Sequence, residues 1–220
     1  GARSLPFFPL REGPTPAGPL PTGVLRGGLF HKRDDRASSI YGGNKVRRYE
    51  WVLGDALDRG ATTIITAGGY ASTQVTATIL HGRAAGLGVE AILFEQPMTR
   101  FGREALAVGV RGGGVLEDGR GYLRTAARAA LRMRRASRPY LLLPGASMPL
   151  PNLGYVDAAL ELAVQVERGE IPRPDRVLVP TGRIGILEVS VASGSGSARR
   201  RRLAERVAAG AAPGTEAGYR

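Results

Sequence analysis

The chain has 220 residues and a formal charge of +12, with 43% hydrophobic and 23% charged residues, near globular averages and long enough to bury roughly 70% of its unfolded surface. With no cysteine and two histidines, His31 and His81, disulfide frameworks, thiolate zinc sites, thiol nucleophiles and multi-histidine metal centres all drop out. No apolar run approaches the ~20 residues of a membrane span, and the opening GARSLPFFPL lacks a basic segment followed by a hydrophobic one. The expectation is a soluble, cytoplasmic protein. The opening Gly1 is read as the mark of a fragment.

In chain order, the first 28 residues are rich in Pro and Gly and read as an ordered arm or loop rather than sheet. Asn44–Arg59 reads as a helix ended by Gly60, with Val46, Trp51, Val52, Ala56 and Leu57 apolar and a basic stripe at Lys45 and Arg48 on its polar face. From residue 60, short β-branched runs alternate with helical patterns, the signature of a parallel sheet covered by helices. The predicted strands are Thr62–Ala67, Val89–Phe94, Val115–Glu117, Tyr140–Leu143 and Arg176–Val179. The predicted helices between them are Ser72–Ala85, Arg103–Val110, Tyr122–Arg135 and Asn152–Arg168, the last with Asn152 as N-cap and Gly169 as stop. From Ser193 the text becomes SGSGSARRRRLAERVAAGAAPGTEAGYR, low in complexity and basic, which predicts a disordered tail.

Three segments carry candidate chemistry. In HKRDDRASSIYGGNKVRRYE, residues 31–50, paired glycines precede Asn44 and Lys45 at the mouth of a helix. Backbone can approach a ligand there, and a desolvated lysine has the lowered pKa that carbonyl chemistry needs. Arg48 shares that helical face and could meet an anionic group on the same ligand; the alternative is a plain turn with a solvated Lys45. In ITAGGYASTQ, residues 65–74, a strand and paired glycine lead to Ser72 and Thr73 opening a helix. That junction is a carboxylate or phosphate receptor, or else Ser72 is only an N-cap. In VLVPTGRIGIL, residues 177–187, a glycine-bearing loop follows a predicted strand, without the Gly-Lys-Ser/Thr of a Walker loop. Neither Gly86–Gly88 nor Gly112–Gly114 completes a dinucleotide fingerprint, so nicotinamide and flavin cofactors are set aside.

In this order KRDD, GGNKVRRYE, ITAGGYAS, PGAS with GYVDAALEL, and VPTG resemble the D-cysteine desulfhydrase and 1-aminocyclopropane-1-carboxylate deaminase family, pyridoxal-phosphate enzymes of the tryptophan-synthase-β type, over about residues 5–187. The resemblance implies an α/β, two-domain, three-layer parallel-sheet fold of type II, with the large domain incomplete. Its large cofactor domain would comprise residues 1–59 and 145–192, with a small α/β domain at 60–144 inserted and 193–220 left as a basic tail. It implies that Lys45 links covalently to pyridoxal 5'-phosphate and acts in catalysis with Ser72. Cofactor contacts fall to Asn44, Arg48, Thr73, Thr181, Gly182, Arg183 and Gly185, substrate contacts to Ser72, Thr73 and Gln74. The activity implied is that of a lyase or deaminase on a small amino acid, in a homodimer.

The sequence also departs from the family. Ser72-Thr73-Gln74 stands where the family reads Ser-Asn-His, Ala71 where it has Gln, and Thr181-Gly182-Arg183-Ile184-Gly185-Ile186 where it reads Thr-Gly-Ser-Gly-Gly-Thr. Past Leu187 the family has further chain, so a truncated or frame-slipped reading of a longer gene is the expectation. Weakened cofactor binding and impaired activity follow, because Ile184 replaces a glycine in a bend that favours positive φ. Two other classes stay open: a non-catalytic remnant of the fold, and a basic nucleic-acid-binding protein using Arg199–Arg202. The second is disfavoured, since aromatics are 6% of the chain and none lies within the arginine cluster.

Overall fold

The computed structural model describes residues 5–20, 29–146 and 148–178. At its centre is a four-stranded sheet of β3 (Thr63–Gly69), β4 (Gly88–Phe94), β5 (Val115–Asp118) and β6 (Pro139–Leu142), in the order β5-β4-β3-β6. Every pairing is parallel. The β-branched run Thr62–Thr66 suits a strand covered on both faces, and Ile64, Ile65 and Thr66 of β3 are fully buried.

Three helices make the crossovers: α2 (Thr73–Ala84), α3 (Arg100–Arg111) and α4 (Tyr122–Arg135). α2 packs on β3 and β4 and against α3, while α4 lies over β3, β4 and β6. Right-handed crossovers require α4 to take the opposite face, because the chain steps from β3 outward to β5 and then returns past β3 to β6.

Outside the sheet, α1 (Val46–Asp58) and α5 (Leu153–Glu167) pack on each other. Helix α1 is buried almost all round, Arg47, Arg48, Glu50 and Asp55 included. The expected polar face with a basic stripe is therefore wrong, and Leu57, assigned to the apolar side, is 38% exposed. The reason is long-range pairing. Arg47 donates to Asp34 and to Glu161 of α5, Glu50 takes Arg11, and Asp55 accepts from Tyr140 at the rear of the sheet, 2.7 Å away.

Two further expectations fail, and the N-cap expectation for Asn152 holds in position only. The N-terminal segment is not free of sheet: β1 (Ala17–Pro19) pairs antiparallel with β2 (Phe30–Lys32). Asn152 does not cap α5 through its side chain; its Oδ1 accepts from Arg48 instead, at 3.3 Å. Residues 176–178 of the predicted last strand form no strand, and Val177 and Leu178 are exposed, while Val179 and the predicted tail lie outside the described residues.

Candidate active site

The sheet order reverses at β3, with β4 on one side and β6, reached last, on the other. In open parallel sheets the crevice for a ligand lies beyond the carboxyl ends of the strands at such a point. A cleft of about 420 Å³ is there, floored by Ala67, Gly68 and Gly69 at the end of β3 and bounded by Ser72–Gln74, Phe94, Gln96, Tyr122 and the Pro144–Gly145 turn after β6. Lys45 faces it from the mouth of α1.

The paired glycines ahead of Lys45 have separate tasks. An added Cβ at Gly42 would overlap the carbonyl oxygen of Asp35, and Gly43 adopts φ 114°. Gly43 N–H donates to Asp34 at 2.7 Å, while the carbonyl of Lys45 accepts from Arg48 and Tyr49 to start the helix. Lys45 is thus the capping position of α1 rather than a residue within it. Its amine is pushed below the ordinary lysine value, chiefly by burial and then by the nearby Arg48 cation.

Ser72 caps α2 and borders the cleft. Its Oγ accepts from Val75 N at 3.4 Å as the N-cap of α2, which leaves the O–H free to donate into the cleft beside the helix's unpaired N–H groups. Thr73 is exposed on the same rim.

Gln74 lines the cleft with its side chain tied to the turn after β6. Its side-chain oxygen accepts from Gly145 N, and its amide nitrogen donates to Leu143 O at 3.1 Å, so the group expected at the substrate fixes the turn that walls the cleft. Arg48 holds the same turn from the other side, donating to Gly145 O at 2.6 Å and to Ala146 O. Its buried guanidinium meets carbonyls where an anionic ligand was expected. Asn44 is exposed. Thr181, Gly182, Arg183 and Gly185 lie outside the described residues.

Sequence reasoning missed Phe94, Gln96, Tyr122 and Gly145. Phe94 and Gln96 could have been found from their position at the C-terminal end of a parallel strand, where ligands bind. A larger groove of about 530 Å³ runs between the N-terminal arm and α5, but its Glu50, Asp157 and Glu161 carboxylates are taken up by Arg11, Lys32 and Arg47, and Glu170 by Arg168. No group of three or more metal-ligating side chains forms among the described residues.

The profile of the pyridoxal-phosphate dependent enzyme family matches residues 9–194. The chain belongs to that family. The match continues past Leu187, where the motif-level likeness ended. Among relatives, the nocardicin C-9' epimerase of Nocardia uniformis subsp. tsuyamanensis is 35% identical over 185 residues, covering 80% of this chain and 55% of the relative. The D-cysteine desulfhydrase of Salmonella newport is 34% identical over 194 residues, covering 82% and 57%. The chain thus spans a little over half the length of these relatives. A crystal structure of a 1-aminocyclopropane-1-carboxylate deaminase homologue superposes with a TM-score of 0.64 at 29% identity, covering 73% of this chain and 51% of the other. A hydrogen sulfide-producing enzyme from Fusobacterium nucleatum shares the fold at 15% identity and TM-score 0.51, covering 65% and 43%. The fold is that of the type II pyridoxal-phosphate enzymes, and the family depends on that cofactor.

The described residues suit such a group. Lys45 supplies a half-buried amine of lowered pKa on the wall of the cleft. Gly68 and Gly69 let the chain pass close under the cleft: an added Cβ at Gly68 would crowd Val75 and Ser72, and one at Gly69 would fall inside the Gln96 side chain. No helix among the described residues is long and apolar enough to cross a membrane.

Proposed function

We infer that this chain carries the lysine-bearing cleft of a pyridoxal-phosphate enzyme acting on a small amino acid, as a lyase or deaminase of the D-cysteine desulfhydrase and aminocyclopropanecarboxylate deaminase type. The observation that carries the reading is Lys45, with its lowered pKa, facing a glycine-floored crevice at the reversal point of the sheet. When bound, the cofactor supplies an electron sink for the substrate's α-carbon. Lys45 Nζ would hold the cofactor and would serve as the base that moves the α-proton; its lowered pKa favours the neutral amine that this task needs. The Ser72 hydroxyl and the N–H groups opening α2 receive the substrate carboxylate, with Thr73 at the rim. Arg48 and Gln74 keep the 143–146 turn in place.

Residues 60–144 act as the small domain in this reading, with 1–59 and 145–192 contributing to the large one and a second copy completing a homodimer. Asn44 and the Thr181–Gly185 loop belong to the cofactor's surroundings.

Incubation with pyridoxal phosphate, borohydride reduction and peptide mapping tests the proposal. Label is expected on Lys45, the competing side-chain amine being Lys32, which is tied to Glu161 at 2.5 Å and Gln165 at 2.7 Å. Label confined to Lys32 or the N-terminal amine overturns it.

A further inference from the structure

We propose that Phe94 and Tyr122 form the side-chain subsite of this cleft, which selects amino acids carrying an aromatic ring. The inference deepens the functional reading and rests on it in one respect: Ser72 and the α2 N-terminus take the carboxylate, and Lys45 faces the α-carbon. With those two directions assigned, the side chain must leave toward the remaining wall. That wall carries two aromatic rings beside Gln96. Phe94, the last residue of β4, and Tyr122, the first of α4, lie with ring centroids 4.4 Å apart and tilted by 34°, and both border the cleft.

Tyr122 is not placed there by core packing. It is 64% exposed, and the next residue, Leu123, is 89% exposed. It follows Gly121 at φ 103°, which turns the chain into α4 without a side-chain cap. The same cleft is lined by the backbone of Gly68 and Gly69, against which the Ser72, Val75 and Gln96 side chains pack. A planar substituent entering the cleft can therefore pack on the exposed ring of Tyr122 at the edge of this pair, where an aromatic contact gains more than its buried area alone provides. A methyl group would leave the rings untouched.

The test uses the 220-residue chain incubated with pyridoxal phosphate, as wild type, Tyr122→Ala and Phe94→Leu. Competitive binding of phenylglycine and alanine, each in both enantiomers, is read by saturation-transfer NMR, and cofactor uptake separately by borohydride labelling of Lys45. Phenylglycine is expected to bind wild type on the order of tenfold more tightly than alanine, and each variant to bring the ratio within about twofold while alanine affinity and labelling stay constant. Equal affinities in wild type, or a preference that survives both substitutions, overturn the proposal. So does a Tyr122→Ala variant that loses labelling but keeps the preference, since the ring would then serve the cofactor. Absence of labelling in wild type counts against the functional reading instead, and a phenylglycine preference on the unlabelled chain still upholds the subsite.

Discussion

The side chain of Gln74 substitutes for a neighbouring strand at Gly145: it accepts the N–H of that residue, which sits at φ 77° in the turn after β6, and donates to the carbonyl of Leu143 two residues earlier. A side chain on the first turn of α2 thereby fixes the loop that forms the opposite wall of the cleft.

Gln74→Ala should destabilise the protein by about 1–3 kcal/mol, the cost of leaving the partly buried Gly145 N–H without a partner. Gln74→Glu keeps the acceptor and loses the donor to Leu143, so a smaller loss is expected. Urea unfolding of the two variants beside wild type checks the order; equal stability in all three would show that the turn stands by itself.

Arg47 is fully buried and ion-paired to Asp34 at 2.9 Å and Glu161 at 3.0 Å. Arg47→Met should cost about 3 kcal/mol or more, since removing one partner of a buried pair strands the remaining charges. Arg47→Lys keeps the charge but not the forked donor geometry, and should fall between. Thermal denaturation of both variants measures the difference.

Burial alone would raise the carboxyl pKa of Glu161, yet hydrogen bonds from Arg47 and Lys32 outweigh it and hold the group down to about 2, against 4.5 in the unfolded chain. The unfolded state therefore takes up this proton first. Stability from Glu161 is complete above pH 4.5 and drains away as pH falls toward about 2. Glu161→Gln should flatten that part of the profile, as read from denaturation midpoints across the acid range.

Gly42→Ala places a Cβ on the Asp35 carbonyl oxygen, so the loop entering α1 must shift. The expected stability loss is about 1–3 kcal/mol. The sharper signature is local: borohydride labelling of Lys45 should fall well below that of wild type at equal cofactor concentration, with Lys32 unaffected. Unchanged labelling would show that the loop tolerates a side chain.

What could be read in the sequence was whatever is local. Thr62–Ala67 and Val89–Phe94 are β-branched or apolar runs whose strand character needs nothing from elsewhere, and the glycine pair before Lys45 announces a close approach of backbone. Arg47 and Arg48 defeated the same reasoning. A charged pair on a helix reads as a solvated face, and their partners, Glu161 and the Gly145–Ala146 carbonyls, lie about a hundred residues further on. Strands β1 and β2 were hidden because three residues give no period to detect, and Tyr122 because a helix's first residue carries no sign of the strand end that it faces.

The ion pairs on α1 also impose an order on synthesis. Arg47 meets Asp34 thirteen residues before it and Glu161 114 residues after it, and Arg11 reaches Glu161 across 150. Between the two ends of these contacts the ribosome must deliver the whole four-stranded sheet. Strands β3 to β6 can therefore pair while α1 still waits with an uncovered guanidinium, and only the emergence of α5 locks Arg47 in place. A nascent chain arrested before Glu161 would hold a finished sheet and an unfinished cleft.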